Sequence, residues 1–125
     1  MEGPDSSLSF LGVHFRDLVI STVDWTGAIV RDHNPAERAK RGGGDGVPIE
    51  HASEAALDVD AIVFPSGSRS GRTIAVIGYS VSAKRILHVI LSPVGDRPTM
   101  DWNGETAWRA SPKFVRLYEE MRDGQ

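Results

Sequence analysis

Residues 61–92 constrain the fold more than any other part of the chain. Three apolar, β-branched stretches at 61–64, 72–79 and 85–92 are separated only by polar loops at 65–71 and 80–84. Such runs between Ser, Gly and Lys punctuation read as strands, and the short links make them an antiparallel meander. A further strand is expected within 99–108, after the turn Gly95-Asp96-Arg97-Pro98, with Asn103-Gly104 marking a tight bend or bulge. Ser111-Pro112-Lys113 then opens a helix, with Ser as cap and Pro at the first position, and Phe114, Leu117 and Tyr118 or Met121 facing inward.

Upstream, Leu-Val-Ile-Ser-Thr-Val-Asp-Trp at 18–25 has the composition of a strand, preceded by an extended piece around Val13-His14-Phe15. Residues 1–9 read as a loose start. Asn34-Pro35 begins a short polar helix that Gly42-Gly43-Gly44 ends, and 48–58 forms a second, with Ile49, Ala52 and Ala56 on one face. The expected fold is α+β: one domain over 1–125, with an antiparallel sheet of about four to five strands, two helices in the N-terminal half and one at the C-terminus.

Composition narrows the chemistry. Hydrophobic residues at 40% and charged residues at 25% suit one globular core. The absence of cysteine removes disulfides, thiolate metal sites and cysteine nucleophiles. The first residues carry acids where a signal peptide needs positive charge, and no apolar run approaches the ~20 residues that cross a bilayer, so a cytoplasmic chain without membrane contact is expected. A net charge of −3 argues against a protein that coats nucleic acid, but the cations are clustered, at Arg38-Lys40-Arg41, Arg69/Arg72, Lys84-Arg85 and Arg109/Lys113/Arg116.

Several motifs have a plainer reading. Gly42 to Gly46 has neither a Gly-Lys-Ser/Thr ending nor a strand before it, so it is a flexible connection and not a nucleotide cradle. His14, His33 and His51 have no ligand spacing, and no metal or cofactor is expected. His88 lies between apolar neighbours and is either packed or an acid–base group. Trp25, Trp102 and Trp108 serve the core or an interface, or stack on bases. Arg72, Arg85 and Arg109 are strand-end charges protecting the sheet, or a converging anion site. Serines 66–70 lack a paired base, and Glu50/Glu54 and Glu119/Glu120 look like helix charges.

The closing run Thr106-Ala-Trp-Arg-Ala-Ser-Pro-Lys-Phe-Val-Arg-Leu-Tyr-Glu-Glu120 resembles the final strand and helix of BrnT-type toxins of bacterial toxin–antitoxin systems. The order of features over 34–120 is also similar: an Ala-Glu-Arg-rich helix, then Val47, Glu50 and the Ala52/Ala55/Ala56 helix, Gly71-Arg72 opening a strand, and an Arg-Ile-Leu strand from Arg85. Where the family has an arginine in its closing strand, this chain has Trp108, with Arg109 one place later.

The resemblance implies a RelE-like fold and a metal-independent endoribonuclease that acts on mRNA, inhibits translation and is held by a cognate antitoxin. Cleavage by the RNA 2′-hydroxyl needs alignment, charge stabilisation and proton transfer. The candidates for this work are Arg72, Arg85 and Arg109 on phosphate and Tyr118 or His88 for the proton. Arg38, Lys40, Arg41, Lys84, Lys113, Arg116 and Trp108 are candidate RNA contacts. The competing expectation is a catalytically inactive interaction or regulatory module, forming homo-oligomers through a sheet edge or the Trp-bearing strand. A flat acidic surface would favour that second expectation, and one concave positive face the first. A metabolic enzyme has no motif behind it.

Overall fold

The computed structural model describes residues 9–27 and 47–124. The helix expected at 34–41, with Arg38, Lys40 and Arg41, and the glycine run at 42–46 lie outside them. The described chain is α+β: a two-stranded sheet of β1 (Ser9–Phe10) and β2 (Val13–His14), and a five-stranded sheet flanked by two helices. Ser9, expected to belong to the loose start, pairs with His14.

The meander forms as its sequence dictates. β4 (Ile62–Pro65), β5 (Ile74–Ser80), β6 (Arg85–Pro93) and β7 (Asp101–Arg109) pair antiparallel in succession. Between β5 and β6 the turn closes with Lys84 in the left-handed region at φ 57°, its N–H donating to the Ser80 carbonyl at 2.8 Å. β7 carries one extra residue: Ile90 faces Thr106 but Leu91 faces Gly104, leaving Glu105 as a bulge. The bend expected at Asn103-Gly104 falls beside it, and Gly104 is required there because a Cβ would lie 2.3 Å from the Trp25 ring.

The sheet is mixed, which corrects the expectation of an antiparallel one. β3 (Thr22–Asp24) runs parallel to β7, giving the order β3-β7-β6-β5-β4. A long connection containing α1 links β3 to the meander, so no hairpin dictates its direction. β3 is also shorter than the strand expected at 18–25. Residues 18–21 stay out of the ladder: the Val19 carbonyl accepts from Trp102 Nε1 at 2.9 Å, and Ser21 N–H donates to the Met100 carbonyl at 2.8 Å. Leu18 and Ile20 pack on the core as loop residues, so their composition reflects burial and not pairing.

Helix α1 (Ile49–Ala56) starts after Pro48 and presents Ala52, Ala55 and Ala56, all buried, to the sheet. These small residues let it approach closely: a Cβ on Gly78 would sit 1.9 Å from the Ala55 carbonyl oxygen. The alternation of β5 and β6 sends Ile74, Val76, Leu87, Val89 and Leu91 into the core on this face, joined by Trp102 and Trp25. Each such aliphatic side chain contributes about 1.5–3 kcal/mol on burial.

Helix α2 (Pro112–Asp123) follows Ser111, whose side chain makes no capping bond, with Pro112 at the first position. It lies over the opposite face through a narrow stripe, Phe114 and Tyr118. Leu117 and Met121, expected inward or as alternatives to Tyr118, are 37% and 50% exposed, because the helix meets the sheet along one i, i+4 line only.

Candidate functional site

Three chain segments bring cations to one end of the sheet. β6 begins there with Lys84 and Arg85 before and at its first position, and β7 ends there with Arg109. Ala110 N–H donates to the Ile86 carbonyl at 3.1 Å, locking that end, and α2 sets off at once with Lys113 and Arg116. All five side chains are exposed. Arg109 lies opposite Leu87, and Arg85 shares Leu87's face, so the two arginines are diagonal neighbours about 7–8 Å apart at the backbone. Among the described residues the one ion pair is Arg122 with Asp123 at 3.7 Å, so none of the five cations is neutralised by a described carboxylate. The fields of Lys84, Arg85, Arg109 and Lys113 add at this end despite the negative net charge, whereas Arg116 lines a pocket with Glu119, Glu120 and Asp123.

Beside this cluster, on the α2 face, stands an aromatic stack. His88 lies on Trp108 with ring centroids 4.5 Å apart and planes at 26°. Phe114 of α2 meets His88 edge-on at 5.1 Å and stacks on Phe64 of β4 at 5.4 Å. Lys113 Nζ sits 5.5 Å above the Phe114 ring. Burial pushes the His88 pKa below its ordinary 6.5, which favours the neutral ring. Trp108 is half-buried, and among the described residues no ring other than His88 stacks on it. Strand alternation puts Trp108 and Arg109 on opposite faces of the sheet.

Tyr118 and Arg72 are placed elsewhere. The Tyr118 hydroxyl donates at 2.5 Å to Asp58, which also accepts the Tyr79 N–H at 2.8 Å. Burial first, and then Asp58, raise the Tyr118 pKa well above its ordinary 10. The hydroxyl is thus committed at the β5 side of the sheet, two strands from β7. Arg72 precedes β5 and donates to the Gly95 carbonyl at 3.2 Å. Since Arg85 pairs with Ser80 at the other end of the hairpin, Arg72 is roughly 25 Å from it at about 3.3 Å per residue. The structure brings Lys84, Arg85, Arg109 and Lys113 to one end of the sheet, with Arg85 and Arg109 on the α1 face and Trp108 and His88 on the α2 face; it leaves Arg72, the Tyr118 hydroxyl and Arg116, on the outer side of α2, apart from them.

Two acids do work that their sequence positions do not reveal. Glu54, which reads as a helix charge, clamps the β5–β6 turn: Ser80 Oγ donates to it at 2.7 Å, Ser82 N–H at 2.9 Å and Ser82 Oγ at 2.6 Å. The Ser82 bonds chiefly hold its pKa down at about 2. Asp58 caps the N–H of Tyr79, which points outward beyond the last residue paired with β4. The only hint of either role is the hydroxyl-rich Ser80-Val-Ser82 turn, and no spacing rule links it to α1.

Among the described residues no group of three His, Cys, Asp or Glu is placed to hold a metal, and no helix is long and apolar enough to cross a membrane. Compared with models of protein families, with curated proteins and with solved structures, the chain finds no match.

Proposed function

We propose that this protein engages RNA at the basic end of its sheet and acts, in the manner of the BrnT-type toxins that its C-terminal half resembles, as a metal-independent endoribonuclease of RelE-like fold restrained by a cognate antitoxin. The observation that carries the reading is the gathering of Lys84, Arg85, Arg109 and Lys113 at one end of the sheet, in no described ion pair, where the same strands carry the His88–Trp108 stack on the α2 face. Arg85 and Arg109 supply charge to a phosphate under attack by the neighbouring 2′-hydroxyl. Tyr118 is held by Asp58, so the proton falls to His88, whose neutral form is favoured by burial; it lies on the α2 face, and the RNA strand must pass around the end of the sheet from Arg85 and Arg109 on the α1 face to reach it.

A second reading, an inactive interaction module of the same fold, is favoured by one specific observation. His88 is only 9% exposed, so its access to a substrate hydroxyl is narrow. Induced expression in bacterial cells separates the two. The nuclease reading expects growth arrest with RNA cleavage that persists in chelator. It also expects loss of arrest in Arg85→Ala/Arg109→Ala and little change in Arg72→Ala. Normal growth and intact RNA from abundant, folded protein would select the interaction module.

A further inference from the structure

We infer that the RNA is taken up as an unpaired strand, with one base stacked on the open face of Trp108. The inference rests on the reading of the basic end as an RNA site and adds to it the class of substrate. Trp108 stacks on His88 with one face, and His88 belongs to β6. The opposite face of the indole turns toward the β3 side of β7. There β3 pairs only with Asp101, Trp102 and Asn103, so among the described residues no strand flanks β7 at Trp108. A half-buried indole with one occupied face and, among the described residues, neither a ring on its other face nor a strand beside it is a stacking platform. Four aromatic rings already run from Phe64 through Phe114 and His88 to Trp108, and a base extends that series by one. Lys113, over Phe114 on the same face, stands where a flanking phosphate would lie, and Arg109 and Arg85 meet the RNA strand only where it passes around the end of the sheet to the other face.

A duplex cannot use this platform. Its bases are stacked on one another and offer no free face to a side chain recessed in a sheet, so only a nucleotide splayed from the strand reaches Trp108. Stacking tolerates any base, so the platform selects strandedness and not sequence.

The test is binding of the full chain to a short 2′-O-methyl oligoadenylate, which lacks the attacking hydroxyl, and to the same strand in a duplex, followed by tryptophan fluorescence and salt titration. Trp25 and Trp102 are 8% and 0% exposed, so Trp108 is the emitter that a bound base can quench. The single strand is expected to quench emission and the duplex to bind far more weakly. Trp108→Ala should weaken binding roughly 5- to 150-fold, and Trp108→Phe should recover most of the loss. Arg85→Ala/Arg109→Ala should instead lower the slope of log affinity against log salt by about 1.4. Equal affinity for duplex and single strand overturns the inference. So does full affinity in a folded Trp108→Ala whose salt slope is unchanged, although that result leaves the RNA site standing. If the alanine variant does not fold, quenching by single strand against duplex in the native chain and the affinity of Trp108→Phe decide the matter. Absence of binding by both RNAs removes the RNA reading itself, and the inference with it.

Discussion

The two faces of the five-stranded sheet are built on different principles. The α1 face is closed: Ile74, Val76, Val89, Leu91 and Trp102 are fully buried, and α1 settles onto Gly78 through its alanines. The α2 face is aromatic and part-open. Its helix is held by Phe114 in the ring stack and by the hydrogen bond from Tyr118 to Asp58, while Ile90, Thr106 and Trp108 remain half-buried. The α2 face is thus closed over β5, where Ala75 and Ile77 are fully buried, and part-open toward β7. Local opening is expected to begin on the α2 face.

The largest test of the contrast is Gly78→Val. Its added carbons meet the Ala55 backbone, which cannot move without lifting α1, so a loss of about 3 kcal/mol or more is expected in urea unfolding. A near-neutral result would mean that α1 is not seated as closely as Gly78 implies. Next in size is Tyr118→Phe, which removes a bond to a carboxylate while Asp58 keeps the Tyr79 N–H; about 1.5–3 kcal/mol should be lost. Hydrogen exchange should quicken along α2 and not along α1. Equal acceleration of both helices would show that the two faces unfold as one unit.

A third, smaller effect is set by pH. The Glu54 pKa is lowered from 4.5 to about 2, so the folded state binds this proton less readily than the unfolded chain. Its contribution is present above 4.5 and is lost as pH falls toward 2. Glu54→Gln should accordingly flatten the fall of Tm over that window relative to the native chain. Parallel Tm profiles would mean that the Ser80 and Ser82 bonds do not discriminate the charged form.

These faces were not equally legible in the sequence. Near-continuous apolar runs in β5 and β6 announce a central, two-sided buried pair, and Ser111-Pro112 marks the start of α2. Local signals of this kind report period and turn chemistry. They do not report direction or partner. Nothing in Thr22–Asp24 says that β3 runs parallel to β7, and Leu18 and Ile20 are apolar for the sake of burial and not of pairing. At the site, Arg85, Arg109 and Trp108 were visible as residues, and the β6–β7 register sets the two arginines side by side on one face and Trp108 against His88 on the other. Arg72 has the same local look, yet the length of β5 carries it away, and Asp58 gains its role only when Tyr79 and Tyr118 fold onto it.

The finest probe of the contrast is the titration of His88. Its ring is flanked by Trp108, Phe64 and Phe114, and the nearest cation held at this stack is Lys113 over Phe114. Burial lowers its pKa below 6.5, so protonation favours the unfolded chain. Stability of the α2 face is therefore fully present above 6.5 and declines as pH falls through the lowered folded value. NMR titration of the histidine ring protons, with the His88 signal assigned by its absence in His88→Phe, should give a midpoint below 6.5. The same variant should make α2 exchange less sensitive to acid, with α1 unaffected. A midpoint at or above 6.5 would place the ring in contact with solvent or an acid. It would also make the α2 face a wetter and more catalytically open surface than its aromatic packing implies.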